Sequence, residues 1–403
     1  MPPIDVETAR RLGEWAGAEV GRVLVVRDTR ASGPDLAEAL IDGVRRTGGL
    51  AIDGGVAPTS AAAIGIDSGL ADGAWVATAS HNQASDNGFK WLGARGRKPS
   101  DEAAAAIVAG VMEARPVAAV RGLRVDVSAA LAARWAEVVD TVSGAVEGVV
   151  ALDLANGAAS ATIGALQARR PELRVLVGDG SGEINSGVGS EYPAALARQM
   201  ALGGFLGGIA VDGDADRCVL LDEGGRVVPG DALLGWLAAS RSASGLAVTV
   251  MSSLRLEAAL QGVHVVRTSV GDRHVRSAMD AKNLPLGGEE SGHVLFAEVA
   301  GGDGLLAGLA ALSAARGRRL SDVVAPYAPW PRRSGKVASA ERRPLDDLSP
   351  ILAAWDRRLS GGRVFVRWSG TEPILRWLVE GPEASAVDTV AADVADRLVG
   401  WVG

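Results

Sequence analysis

Two hydrophobic rhythms alternate along the chain. Short apolar runs occur in "RVLVVRD" (22–28), "GAWVATAS" (73–80), "EGVVALDL" (147–154) and "GLAVTVM" (245–251). Each is bounded by glycine or polar residues and has strand length, which predicts buried β-strands. Behind them, apolar residues recur at helical spacing. "SGPDLAEALIDGVRR" (32–46) is predicted as a helix with Ser32 as its N-cap. Segments 147–170 and 245–262 repeat the same plan of apolar strand, small polar turn and helix. True internal repetition and generic α/β grammar are both open readings of that similarity.

The C-terminal part has another rhythm. "GGRVFVRWSGTEPILRWLVEG" (361–381) reads as strand, polar turn, strand, and "EASAVDTVAADVADRLVGWV" (383–402) as an amphipathic helix. A small α+β domain is therefore expected after the α/β part. Breaks are expected near 130–145, 230–240 and 325–335, the last on the Pro-rich "APYAPWPRRSG".

Composition narrows the function classes. The 403 residues are 48% hydrophobic and 22% charged, with a formal net charge of −7, which is a globular balance with ample material for several cores. No basic run stands out, so a nucleic-acid binder is not expected. An acidic chain still accommodates anionic substrates through local arginines. The single Cys218 excludes an internal disulfide and fits a reducing cytoplasm. The N-terminal "MPPIDVETARRLGEW" has no apolar signal core, and no stretch is apolar enough to predict a membrane span.

Four polar turns carry the candidate chemistry. In "TASHNQASDNGFK" (78–90), Ser80 follows a strand, where a side chain projects into a cleft. The stretch lacks the flanking glycines of a hydrolase elbow, and its bland reading is a capped turn satisfied by Ser80, His81 and Asn82. In "GGIAVDGDADRCVLLDE" (207–223), Asp212, Asp214 and Asp216 alternate, and in an extended loop alternate side chains point the same way. Converging carboxylates call for a hard cation such as Mg²⁺ or Ca²⁺. An EF-hand fits Glu223 at position 12 but fails at position 6, where Arg217 stands in place of glycine. In "LPLGGEESGHVLF" (284–296), Glu289, Ser291 and His293 alternate, so one shared face toward sugar hydroxyls or a phosphate is expected. In "RWSGTEPILRW" (367–377), Ser369, Gly370 and Thr371 offer hydroxyls and backbone N–H groups, and Arg367 and Arg376 add guanidinium forks, which suits a phosphate dianion. Solvated turns are the bland alternatives for the last two.

With these four motifs in this order, the chain resembles the α-D-phosphohexomutase superfamily. "RVVPGDALL", "VTVMSSLRLEAAL", "RTSVGDRHV" and "GGDGLLAGLAAL" resemble its bacterial phosphoglucosamine mutase subgroup, with "TSVGDRHV" carrying the most weight. The resemblance implies three related α/β domains with mixed sheets plus a smaller C-terminal α+β domain around a central cleft. It places them at 1–138 (phosphoserine loop), 139–235 (metal loop), 236–332 (sugar loop) and 333–403 (phosphate loop). It implies interconversion of hexose 6-phosphate and hexose 1-phosphate through a phosphoserine enzyme and a bisphosphate intermediate. Glucosamine phosphate is the implied substrate, on the way to UDP-N-acetylglucosamine. Ser80 is implied as phosphoryl carrier, with Asp212, Asp214 and Asp216 holding Mg²⁺ that also touches the seryl phosphate. Arg217 and Lys90 are implied close to the reacting oxygens, and His81 as a shaper of the turn. Glu289 and Ser291 are implied to hold sugar hydroxyls, and Arg367, Ser369, Gly370 and Thr371, joined by Arg376, the phosphate that is not reacting. Arg273 and His293 are further contact candidates. Hexose 1,6-bisphosphate is implied as activator, in a cytoplasmic monomer or homodimer.

Two departures from the family pattern are visible. The family's glycine-rich N-terminal arm is not found in residues 1–21, and Gln83 stands where the family usually has proline. These keep open a mutase of another sugar phosphate, or of a sugar-like phosphate, and a non-catalytic phosphosugar-binding protein.

Overall fold

The structure, a computed structural model, describes residues 4–113, 115–339, 341–369 and 373–402. The chain divides into two compact units, the first made of the residues up to Met251 with Gly262–Pro326, the second of Ser252–Gln261 with Tyr327–Gly403.

The first unit contains three sheets. The first holds β1 (Arg22–Arg27), β2 (Leu50–Val56), β3 (Gly73–Ala77), β4 (Phe89–Leu92) and β5 (Arg124–Asp126), in the order β4-β3-β1-β2-β5. The second holds β6 (Val149–Asp153), β7 (Leu173–Val177), β8 (Phe205–Val211), β9 (Cys218–Leu221) and β10 (Val227–Val228), in the order β10-β9-β8-β6-β7. The third holds β11 (Gly245–Thr249), β12 (His264–Thr268), β13 (Leu286–Gly288) and β14 (Val294–Phe296), in the order β12-β11-β13-β14.

These sheets share one plan. In each, the first strand pairs in parallel with the second and with the third, and the third pairs antiparallel with the fourth. The repetition left open by the sequence is therefore present in the topology. It has a consequence for chemistry. The link from third to fourth strand is 78–88 in the first sheet, 212–217 in the second and 289–293 in the third. Three of the four polar motifs are one and the same turn of a repeated unit, each at the carboxyl end of a buried parallel strand, where α/β sheets present ligand sites.

Burial follows the predicted pattern. Strands β3 and β11 are buried along their whole length, as expected for sheets covered on both faces. Trp15, Trp75 and Trp91, which had no pattern in the sequence, meet edge-on or tilted in the first core, with ring centroids 4.9–6.0 Å apart. Cys218 is buried and packs as a small apolar residue. The helix Gly304–Ala315 is capped by Asp303, whose carboxylate accepts from Leu306 N at 2.8 Å. The same buried carboxylate accepts from Ser60 Oγ at 2.5 Å and Trp135 Nε1 at 2.7 Å, which ties the helix between β2 and β3 and the helix after β5 to one that follows the third sheet.

One local expectation is corrected, and two expected boundaries meet continuous helices. Ser32 does occupy the N-cap of the helix Gly33–Arg46, but its own φ and ψ are already helical and its side chain makes no capping bond. Its hydroxyl accepts from Asn87 Nδ2 at 2.8 Å. The domain breaks expected at 138/139 and 235/236 fall inside the helices Ser128–Ser143 and Gly230–Ser240. The first of these is continuous because Leu131, Trp135 and Val139 form one buried stripe across the expected break.

The second unit is built on β15 (Arg332–Ala338), β16 (Arg363–Trp368) and β17 (Ile374–Glu380), an antiparallel sheet in the order β15-β17-β16. The helix Ala384–Val402 buries Val387, Val394 and Leu398 in a core shared with Leu375 and Val379 of β17. Among the described residues, no helix is long and apolar enough to cross a membrane.

Candidate active site

The acidic turn is the centre of the first unit's chemistry. Asp212, Asp214 and Asp216 are at most 4% exposed. One oxygen from each lies within 4.8 Å of the other two. The convergence does not come from extended alternation, as the sequence suggested. A tight turn makes it, with Ala215 N donating to Asp212 O at 2.9 Å and Ala215 at φ +59. A non-glycine residue in the left-handed region is strained, and such strain gathers at functional sites.

The helix Thr59–Asp67 points its first residue at this turn. Thr59 N donates to Asp214 O at 3.1 Å, and its hydroxyl donates to an Asp214 carboxylate oxygen. Lys90, on β4, places Nζ 2.6 Å from Asp214 Oδ2 and 3.1 Å from Asp216 Oδ2. Although burial opposes its charge, Asp214 and Asp216 hold the ammonium well above the usual lysine range. Burial, reinforced by repulsion from Asp216 and Asp214, pushes the Asp212 carboxyl up to about 8. Asp214 Oδ1 and Asp216 Oδ1 are buried without a hydrogen-bond donor. Lys90 alone therefore does not satisfy the cluster. Hard oxygen donors, two of them orphaned, fit a divalent cation.

Ser80 reaches the cluster from the first repeat. Its Oγ donates to Asp212 Oδ2 at 2.5 Å, and its backbone sits at φ +53. Several residues that the sequence reading passed over hold this conformation. Ser80 N donates to Thr78 Oγ1 at 2.9 Å, and Thr78 Oγ1 donates to the buried Asp28 at 2.6 Å. Arg30, fully buried, pairs with Asp28 at 3.0 Å. Its Nη1 donates to the carbonyls of Gln83 and, at 2.8 Å, Asp86. Its Nη2 donates to those of Ser80 at 2.9 Å and Asn82 at 3.1 Å. From the second repeat, Asn185 Nδ2 donates to Ser80 O at 2.8 Å and Asn82 O at 2.9 Å. The one available sequence signal was "RDTR", an Asp and an Arg directly after a strand.

The other predicted residues divide. Arg217 donates its backbone N–H to Asp212 Oδ1 at 3.1 Å. His81 is partly buried with Nδ1 unpartnered, and burial, then the Arg217 charge, holds its pKa below the ordinary value. Glu289 Oε1 accepts from Gly271 N at 2.9 Å, which joins the sugar motif to the "TSVGDRHV" loop. The shared face expected for Glu289, Ser291 and His293 is not formed. Gly292 N bonds back to Glu289 O at 3.0 Å, so the chain turns, leaving Ser291 exposed and His293 buried. Gly292 has φ +86, and a Cβ there would meet Cys218 O at 2.0 Å, so this turn admits only glycine.

His293 Nδ1 lies 3.6 Å from Asp216 Oδ1 and its Nε2 lies 3.4 Å from Asp272 Oδ2. Burial works against its charge, but the two carboxylates win and raise its pKa. Asp272 is itself paired with Lys98 at 2.6 Å. Arg273 turns away to Asp101, at 2.6 Å.

In the second unit, Arg367 and Arg376 are directly paired across β16 and β17, which puts both guanidinium side chains on one sheet face. Ser369 is buried; its N–H donates to Ile374 O at 2.8 Å and its carbonyl accepts from Arg342 Nη2 at 2.7 Å. Gly370 and Thr371 lie outside the described residues.

Comparison with known proteins places this geometry. Residues 2–117 match the phosphoglucomutase/phosphomannomutase alpha/beta/alpha domain I, residues 229–329 its domain III, and residues 336–397 its C-terminal domain. The chain is 38% identical over 421 residues to the phosphoglucosamine mutase of Paracoccus denitrificans, covering 97% of this chain and 94% of that one. It is 39% identical over 429 residues to the phosphoglucosamine mutase of Moorella thermoacetica, with the same 97% and 94% coverage. Among solved structures, a phosphoglucomutase/phosphomannomutase family protein from Burkholderia thailandensis superposes with a TM-score of 0.78 at 22% identity, over 98% of this chain and 93% of that one. The Aspergillus fumigatus N-acetylphosphoglucosamine mutase in complex with GlcNAc-6P and magnesium superposes with a TM-score of 0.63 at 19% identity, over 86% and 92%.

Proposed function

The chain belongs to the phosphoglucomutase/phosphomannomutase family of the α-D-phosphohexomutase superfamily, and from that premise we propose that it interconverts glucosamine 6-phosphate and glucosamine 1-phosphate. The observation that carries the reading is the 2.5 Å hydrogen bond from Ser80 Oγ to Asp212, within a buried three-carboxylate cluster that also engages Lys90. The choice of glucosamine phosphate rests on the two phosphoglucosamine mutases matched over nearly their full length.

In this reading Ser80 carries a phosphoryl group. The P–Oγ bond breaks as a bond forms from phosphorus to a hydroxyl of the sugar phosphate, and the hydroxyl proton ends on Ser80 Oγ. The resulting bisphosphate reorients, and the opposite exchange returns a phosphoryl group to the serine. Lys90, paired with Asp214 and Asp216, places a positive charge beside the moving phosphoryl group. Asp212, Asp214 and Asp216 would hold Mg²⁺, which supplies neutralisation of the phosphoryl oxygens. Glu289 and Ser291 are proposed for the sugar hydroxyls. Arg367, Ser369, Gly370, Thr371 and Arg376 are proposed for phosphate recognition on their chemistry. Cys218, buried and unpaired, suits a reducing cytoplasm.

The test is ³¹P NMR of the purified protein with Mg²⁺, a trace of hexose 1,6-bisphosphate, and glucosamine, glucose or mannose phosphates in separate samples. Interconversion is expected to be fastest for the glucosamine pair. Faster conversion of glucose or mannose phosphates overturns the substrate, and no conversion of any overturns the activity.

Metal binding has a separate readout. Saturating Mg²⁺ is expected to raise the melting temperature by a few degrees, since a ligand at about 100 times its Kd adds about 2.7 kcal/mol to the folded state. EDTA reverses the rise. Asp214→Asn should abolish it, and a rise undiminished in that variant would remove the acidic turn as the metal site.

A further inference from the structure

A cavity of about 460 Å³ opens beside the helix Asp272–Lys282 and against the segment that follows β4. Its lining includes Arg97, Lys98, Asp272, Arg273, Arg276 and Asp280, while its inner end reaches Asp216 and His293. Ser80, Lys90 and Arg217 do not line it. A pocket of this size accommodates a small metabolite.

The charges along its wall are unevenly satisfied. Asp272 is paired with Lys98 at 2.6 Å, Asp280 with Arg97 Nη2 at 3.1 Å, and Asp101 with Arg273 at 2.6 Å. Arg276 has no such carboxylate among the described residues. It is 8% exposed, and its Nη2 donates only to the carbonyls of Phe296 at 3.0 Å and Val299 at 3.2 Å. Its Nη1 is buried with no acceptor, and so are Nε and Nη1 of Arg97. Three guanidinium nitrogens on two arginines are thus withdrawn from water and unmatched, which is costly for charged donors. Burial, together with the neighbouring Arg97 and Arg95 charges, pulls the Arg276 guanidinium down to about 10 even though Asp280 and Asp272 oppose that shift. Carboxylates are not lacking along the wall, since Asp101, Glu102, Asp216, Asp272 and Asp280 all line it; what is unmet is the set of three guanidinium donors.

We propose that this cavity is a binding site for a small oxyanion, the phosphate or carboxylate group of a metabolite, held by Arg97 and Arg276. Planar guanidinium forks match the paired oxygens of either group, and two forks from different repeats fix its position. The cavity's inner end reaches Asp216 of the acidic turn, but neither Arg97 nor Arg276 is given a part in the mutase reaction, so the proposal does not depend on that assignment.

Calorimetric titration of the purified full chain with inorganic phosphate, and in a second arm with acetate, reads the site directly. Arg97→Met and Arg276→Met are compared with the unmodified protein, and crystals are soaked in tungstate. One class of phosphate or acetate sites should be weakened about tenfold or more in both variants, as expected for loss of a charge-assisted bond. Tungstate should lie against both guanidinium groups. The tighter of the two anions tells whether the natural ligand presents a phosphate or a carboxylate. Arg97 is partly exposed, so its variant keeps the test open where loss of the buried Arg276 prevents folding. Titrations unchanged in a folded variant, or tungstate only at other positions, overturn the proposal.

Discussion

Ser80→Ala is expected to lower sugar-phosphate interconversion by at least about 10³-fold, because loss of the atom that forms the covalent intermediate leaves only binding and electrostatics. The hydroxyl touches the acidic turn by its own side-chain bond, at 2.5 Å from Asp212, and sits on a strained backbone at φ +53. Alanine keeps the backbone bonds from Arg30 and Asn185 to the loop carbonyls, so the variant should fold and still show the Mg²⁺-dependent rise in melting temperature. A folded Ser80→Ala protein with undiminished turnover in the ³¹P assay would show that the phosphoryl group does not pass through this serine. A variant that loses both turnover and the Mg²⁺ response would point to collapse of the acidic turn instead, which is why the two readouts belong together.

Much of this site was legible in the sequence because its residues are clustered in short turns. The strands 22–27, 73–77, 149–153 and 245–249 were each marked by apolar runs, and the acids at 212, 214 and 216 by their density. What could not be read was how those turns are shaped. Alternation suggested extended chain at 212–216 and 289–293, whereas positive φ at Ala215 and Gly292 folds both into tight reversals, and Ser80 in its longer loop also has positive φ. Backbone conformation of that kind depends on contacts distant in sequence, such as Thr59 on Asp214 and Asn185 on Ser80. His293 was expected beside Ser291 and is instead drawn inward by Asp216 and Asp272, a pairing set by two different loops. The equivalence of the three polar turns also escaped the sequence. It lies in strand order, which similar residues reflect only weakly.

Arg30 is the position where this distant support should weigh most. Its guanidinium is completely buried and spends its donors on Asp28 and on four carbonyls of the serine loop, those of Ser80, Asn82, Gln83 and Asp86. Four carbonyls gathered around one cation close the loop into a single shape, and Gln83, which lacks the stiffness of proline, is one of the points held. Lysine keeps the charge that Asp28 requires but has three donors on a flexible stem, so it cannot reproduce the fork. Arg30→Lys is therefore expected to fold, to bind substrate with KM little changed, and to lose about 10²-fold in kcat, the cost of a misplacement near 1 Å at the reacting atom. Arg30→Met should be worse, destabilising by about 3–5 kcal/mol because it strands the buried Asp28 carboxylate without its partner. Asp28→Asn in the Met background should recover part of that stability, since removing both charges avoids the unpaired one, yet it should not recover kcat. That split separates positioning from bulk stability. Were kcat to return with stability, or were Arg30→Lys to raise KM alone, Arg30 would be a structural ion-pair partner and the shape of the serine loop would have to be set elsewhere.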